Sequence, residues 1–134
     1  IYAPYINANH PEGRYRLDGM KLPNSPEYLL NASLEKTIYL SAGAEIYGRL
    51  DYSLRGHSFA DVPNEPEGAD FNNSRFELIN FYAGFRMDFW DVQIFVKNLD
   101  DVDASTMDWY DGSFDFRARV TPRVMGINLT FNYH

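Results

Sequence analysis

The chain has 134 residues, a formal net charge of −7, no cysteine, 45% hydrophobic and 16% aromatic residues, with ten Tyr and ten Phe. This length suits one domain; the negative charge argues against a nucleic-acid surface, which needs a basic footprint, and the lack of cysteine excludes disulfides and thiolate metal sites. No apolar run approaches the roughly 20 residues of a transmembrane helix, but a barrel strand, apolar only at alternate positions, needs no such run.

In chain order, Ile1–Ile6 reads as the end of a strand, and Asn7–Glu27 as a loop in which Pro11, Pro23 and Pro26 exclude a central strand. Period-two alternation then predicts strands over Leu29–Lys36, Ala44–Arg55, Phe76–Asp88, Asp91–Lys97 and Val124–Tyr133. One set of faces carries Leu30, Ala32 and Leu34; Ala44, Ile46, Gly48, Leu50, Tyr52 and Leu54; Ile79, Phe81, Ala83, Phe85 and Met87; Val92, Ile94 and Val96; and Met125, Ile127, Leu129, Phe131 and Tyr133, none of them charged. The opposite faces are mostly polar and hold Glu35, Glu45, Arg49, Asp51, Arg55, Arg86, Asp88, Asp91 and Lys97. Phe114–Val120 also alternates and reads as a strand-like extension beyond the main set.

Tight connections, Thr37–Ser41 and Asp88–Asp91, alternate with long polar ones, Gly56–Arg75 and Leu99–Pro122. Outer-membrane barrels have short periplasmic turns and long external loops. On that pattern the uncharged faces meet lipid, the polar faces border a wet interior, and the C-terminus lies in the periplasm. Tyr39, Phe89, Trp90 and Tyr133 would form the periplasmic aromatic girdle, with Tyr52, Phe76, Trp109 and Tyr110 at the outer end. No signal peptide opens the sequence, so this reading expects Ile1 to lie inside a longer chain.

Three stretches resemble the C-terminal part of TonB-dependent outer-membrane receptors. Gly19-Met20-Lys21-Leu22-Pro23-Asn24-Ser25-Pro26-Glu27 is similar to the family's G-x-x-L-P-N-x-P approach to a late strand. Trp90–Asp101 resembles the penultimate strand with its V-x-N-L-x-D ending, and Pro122–Tyr133 the last strand, which begins with Pro-Arg and a glycine three residues on. The family usually ends on an aromatic residue read by the barrel assembly machinery, whereas here Tyr133 is followed by His134. The resemblance implies the last five to six strands of a 22-stranded barrel, with the plug domain absent from this sequence and TonB reached only through that plug. Its residues for assembly would be Gly126, Leu129, Phe131 and Tyr133. It further implies an outer-membrane location, contact with lipid and lipopolysaccharide, and uptake of a scarce nutrient, by default a ferric siderophore.

No catalytic constellation is evident: His10, His57 and His134 are far apart, and neither a nucleophile elbow nor a phosphate loop occurs. The expectation is a non-enzyme without cofactor or resident metal. Asp100, Asp101, Asp103, Asp108 and Asp111 offer oxygen ligands but lack EF-hand spacing and its closing Glu. A solvated loop is the simpler reading; a calcium bridge to lipopolysaccharide is the alternative. Candidate ligand residues in the loops are Phe71, Arg75, Trp109, Tyr110, Arg117 and Arg119, since Arg and aromatic groups suit flat anionic ligands. Candidate lumen or plug contacts are Glu45, Arg49, Asp51, Arg86 and Lys97. Two other readings compete: a small closed outer-membrane barrel acting as a structural protein or adhesin, and a soluble β-barrel binding an apolar ligand.

Overall fold

The computed structural model describes the backbone of residues 2–4, 14–16, 24–59, 72–110 and 115–132, and their side chains except at 2–4, 14–16, 59, 72, 109, 110 and 115. In chain order the strands are β1 (Tyr2–Pro4), β2 (Arg14–Arg16), β3 (Leu29–Tyr39), β4 (Glu45–Arg55), β5 (Ser58–Phe59), β6 (Asn72–Asn73), β7 (Phe76–Met87), β8 (Trp90–Lys97), β9 (Ser105–Tyr110), β10 (Asp115–Arg119) and β11 (Val124–Phe131). Five of them form one antiparallel sheet in the order β11-β8-β7-β4-β3, and the others pair two by two as β1-β2, β5-β6 and β9-β10.

Each of the five expected strands is present, with shifted ends. β3 runs to Tyr39 rather than Lys36, because Thr37, Ile38 and Tyr39 continue the ladder opposite Tyr47, Ile46 and Glu45. The turn therefore falls at Leu40–Ala44 instead of Thr37–Ser41. There Leu40 N donates to Ala44 O at 2.8 Å, and Ala42 and Gly43 take φ of 65° and 74°. Glycine adopts that left-handed backbone freely. β7 stops at Met87, leaving Asp88 in the turn, and β8 begins at Trp90. The expected extension is found as β10, trimmed to Asp115–Arg119 and paired with β9. Within the expected Asn7–Glu27 loop, β2 pairs with β1. Residues 1 and 5–6 of the predicted first strand, together with Tyr133 and His134, lie outside the described residues.

The register aligns side chains in rows across the sheet. On one face stand Leu34–Leu50–Phe81–Val96–Met125, then Lys36–Gly48–Ala83–Ile94–Ile127, then Ile38–Ile46–Phe85–Val92–Leu129. This face is open: Leu34 is 71% exposed, Ile127 67% and Phe131 77%, and Ala44 is the one buried apolar side chain among the described residues. A soluble barrel would bury these side chains in a core; none is built among the described residues. Both outer edges of the sheet, β3 and β11, carry no further strand among the described residues, so the sheet is not a closed small barrel.

The opposite face holds the rows Glu35–Arg49–Tyr82–Phe95–Gly126, Thr37–Tyr47–Gly84–Gln93–Asn128 and Tyr39–Glu45–Arg86–Asp91–Thr130. Two glycines in these rows are roofed by the aromatic on the neighbouring strand. A Cβ on Gly84 would lie 2.2 Å from Tyr47 Cζ, and one on Gly126 would lie 2.6 Å from Phe95 Cζ. The gap at Gly84 lets the Tyr47 ring cross β7 and reach β8. Tyr39 and Phe76 therefore belong by register to the polar face, not to the aromatic girdles expected for them.

A side-chain clasp closes the outer end of β8 onto β11. Asn98, 4% exposed and with φ of 53°, donates through Nδ2 to Val102 O (2.9 Å) and Thr121 O (3.0 Å), and its Oδ1 accepts from Val102 N (2.8 Å). Its own N–H donates to Asn80 Oδ1 at 3.0 Å. Asp101, with φ of 54°, accepts from Arg123 N at 2.8 Å, and the Arg123 guanidinium donates to Leu99 O at 3.4 Å. The Asn98 and Asp101 of the V-x-N-L-x-D stretch and the Arg of Pro-Arg are thus halves of one joint.

Two outcomes are expected in detergent-solubilised urea unfolding. Gly84→Ala displaces Tyr47 and destabilises by about 1–3 kcal/mol, and much of that loss disappears in a Tyr47→Ala background; additive losses would refute the crossing. Asn98→Ala strands three backbone partners and puts alanine in a left-handed conformation, a loss of roughly 3–5 kcal/mol. Asn98→Gly, which strands the same partners but adopts that backbone without strain, is expected to lose about 1–2 kcal/mol less than Asn98→Ala.

Candidate functional site

The polar face is the first site. Its strands present side chains at every second position, so residues on neighbouring strands in one row meet directly. Arg86 on β7 sits between two acids: Nε donates to Asp91 Oδ2 at 2.9 Å and Nη1 to Glu45 Oε2 at 3.4 Å. Its guanidinium carbon lies 5.1 Å from the centre of the Tyr47 ring. The Tyr47 hydroxyl donates to Asp91 Oδ1 at 2.9 Å and accepts from Gln93 Nε2 at 3.1 Å. Gln93 Oε1 in turn accepts from Asn128 Nδ2 at 3.2 Å, so one chain of contacts crosses β4, β7, β8 and β11.

A second cluster adjoins it. Arg49 Nε donates to Asp51 Oδ1 at 2.8 Å, Ser33 Oγ donates to the same oxygen at 2.7 Å, and the Arg49 guanidinium lies 6.0 Å from the Tyr82 ring centre. Between the clusters lies a depression of about 420 Å³ bounded by Glu35, Tyr47, Arg49, Tyr82, Arg86 and Asp91. The Arg49 and Arg86 side chains are 48% and 52% exposed. Exposed ion pairs contribute only about 0–1 kcal/mol each. Stability alone therefore gives little reason for so dense a set, and what the arrangement does is hold two guanidinium groups in fixed, solvent-facing positions.

The structure brings Glu45 and Arg86 into one cluster and Arg49 and Asp51 into another, all four having been expected as lumen contacts. Lys97 stands apart, its Nζ 5.5 Å from the Phe95 ring centre. Arg55, grouped with this face in the sequence, reaches the outer rim and donates to Asn24 O at 3.4 Å. Of the strand-end residues, Leu129 and Phe131 project from the apolar face of β11, whereas Gly126 lies beneath Phe95.

The second site is the loop end. A concavity of about 640 Å³ lies between Ser74–Glu77 and the foot of the β9–β10 hairpin, with Arg75, Asp103 and Asp108 on its walls. Arg119 pairs with Asp103, Ser105 Oγ donates to Asp108 at 2.8 Å, and the Tyr52 hydroxyl donates to Glu77 at 2.8 Å. Arg75 thus lines the hollow directly, while Arg119 reaches it only through its pairing with Asp103 on the wall. Arg117 pairs by register with Asp108, and the backbone of Trp109 and Tyr110 pairs with Phe116 and Asp115. Phe71 lies outside the described residues, as do the side chains of Trp109 and Tyr110.

Among the described acids of the Asp100–Asp111 stretch, Asp103 and Asp108 share the walls of one concavity. Asp101 serves the clasp, while Asp103 and Asp108 are engaged as above, and Asp111 lies outside the described residues. No group of three potential metal-ligating side chains comes together among the described residues. The sequence reading missed Tyr47, Gln93, Gly84 and Asn98. The available signal was glycine on a polar strand face, which marks a close approach.

No protein-family model matches the sequence, and no curated protein is significantly similar to it. Among solved structures, the chain is similar to the ferric yersiniabactin uptake receptor FyuA from Yersinia pestis, with a TM-score of 0.70 and 21% identity. The likeness covers 84% of this chain and 17% of that one, so the chain spans well under two thirds of the receptor's length. What the likeness establishes is the fold: an all-β, antiparallel stretch of β-barrel sheet that does not close on itself.

Proposed function

We propose that this chain is the C-terminal part of the barrel of a TonB-dependent receptor in a bacterial outer membrane, taking up a scarce nutrient, with a ferric siderophore as the first candidate. The observation that carries the reading is the division of the two faces: three consecutive rows of five residues with a single charge on one side, and a hydrogen-bonded network of acids, arginines, Tyr and amides on the other. Hydrocarbon suits the first face and water the second. The tight turns share one end of the sheet, and Asn132 N donates to Phe89 O at 2.9 Å, so the chain's last described residue lies at that end too. At the same end, Phe85 and Trp90 pack with ring centres 5.4 Å apart on the apolar face, as an interfacial aromatic belt requires.

In this reading the rest of the barrel pairs with β3 and β11, since open edges are not tolerated in hydrocarbon. The polar face meets a plug, and TonB acts through that plug. The loop end captures cargo beside lipopolysaccharide, and the last strand engages the barrel assembly machinery. The protein performs transport, not covalent chemistry.

The test uses the full-length protein carrying this chain, in vesicles whose acyl chains are brominated. Fluorophores on single cysteines at Ile127 and Leu129 are expected to be quenched by the bromines, and one at Asn128 to remain unquenched. Equal quenching at all three positions would sink the reading. In cells, Arg49→Glu with Arg86→Glu is expected to impair uptake while leaving heat-modifiable barrel assembly unchanged; normal uptake would remove the plug-contact role from both arginines.

A further inference from the structure

Lys36 stands on the apolar face of β3, in register with Gly48 and the row Ala83–Ile94–Ile127. Leu34 precedes it and Ile38 follows it on the same side of the strand. Two charged residues occupy that face in the five-stranded sheet, Lys36 and Glu77. Glu77 lies at the loop end and accepts the Tyr52 hydroxyl at 2.8 Å. Lys36 has no such setting. It lies toward the other end, four residues before the Leu40 turn, which is about 10 Å of depth for a tilted strand. Its neighbour across the ladder has no side chain: the nearest heavy atom to a Cβ built on Gly48 would be Tyr82 O, 3.9 Å away.

An ammonium group is poorly tolerated at the bilayer midplane and well tolerated near an interface. Lysine resolves such a position by laying its methylene stem along apolar surface and turning its charge toward the headgroups. From Lys36 the nearer headgroups are those on the tight-turn side, where Trp90 and Phe89 sit. The group found there in quantity that complements a lone ammonium is phosphate, attached to acyl chains that suit Leu34, Ile38, Ile46 and Leu50 around it.

We propose that Lys36 binds the phosphate of one phospholipid in the periplasmic leaflet, its Nζ–H groups donating to phosphate oxygens while an acyl chain lies against the adjoining apolar rows. The proposal rests on the membrane reading of the apolar face given above. An acidic partner protein would supply the same charge. The unbroken apolar surround of Lys36 on β3 and β4, with no second charge in its row, favours lipid.

The experiment is native mass spectrometry of the full-length protein carrying this chain, titrated with dioleoylphosphatidylglycerol and, separately, with dioleoylglycerol, which lacks the phosphate. Lys36→Leu and Lys36→Gln are expected to weaken the tightest phosphatidylglycerol binding about fivefold, the factor that one lysine near a lipid surface supplies. Lys36→Arg should bind like the unsubstituted protein, and dioleoylglycerol should not distinguish the variants. Both neutral variants take a charge off an apolar face, so heat-modifiable migration should be retained. Phosphatidylglycerol binding unchanged in both neutral variants overturns the proposal. Loss of a co-purifying protein with lipid binding unchanged also overturns it, and assigns Lys36 to a protein interface. The bromine-quenching measurement at Ile127 separates the premise from the site. No quenching there removes the membrane reading and the site together, whereas quenching with unaltered lipid binding removes the site alone.

Discussion

The ladder register between β4 and β7, eleven residue pairs without a break, is the constraint on which the rest depends. Side chains alternate with period two, so a slip of one residue would turn the whole apolar set inward and the charges outward. Backbone pairing alone does not choose between those registers. The choice comes from side chains that fit in one register only: the Tyr47 ring over Gly84 and Glu45 beside Arg86, while the Phe95 ring over Gly126 does the same for β8 and β11. Each contact is modest by itself, but the two between β4 and β7 are lost together when those strands slip.

These contacts also explain why the polar face holds a defined shape while wet. Tyr47 spans from β4 to β8 because glycine stands where any other residue would block its ring. Its hydroxyl bridges Gln93 and Asp91, and Asp91 holds Arg86. A guanidinium held by two carboxylates beside an aromatic ring has little freedom to reorient. Such a surface is pre-organised for whatever docks against it.

Much of this was legible in the sequence. Alternation over Ala44–Arg55 and Phe76–Asp88 gave the central strands almost to the residue, and tight turns alternating with long loops gave the meander. The errors have local causes. Lys36 is the one charge on its side of β3, which makes it look like a strand end; the β-branched Thr37 and Ile38 and the turn-forming Ala42-Gly43 pair carry the strand on. Tyr39 and Phe76 were assigned to girdles by position along the strand, whereas their parity puts them with Glu45 and Arg55. The contacts around Asn98 link residues up to 23 positions apart, beyond anything that periodicity reports. The loop-end site was the least legible, because Arg75 shares a hollow with Asp103 and Asp108 only when the segment before β7 and the foot of the β9–β10 hairpin stand side by side.

The Asn98–Asp101–Arg123 joint has a consequence for how this region can diversify. It fixes the points where the polypeptide leaves β8 and rejoins β11, using contacts at Leu99, Val102, Thr121 and Arg123 that owe nothing to the hairpin between them. Closing a longer or shorter loop over fixed ends changes the entropy only slowly with length. The joint therefore acts as a socket: the segment carried on it can change sequence and size while the five-stranded sheet keeps its geometry.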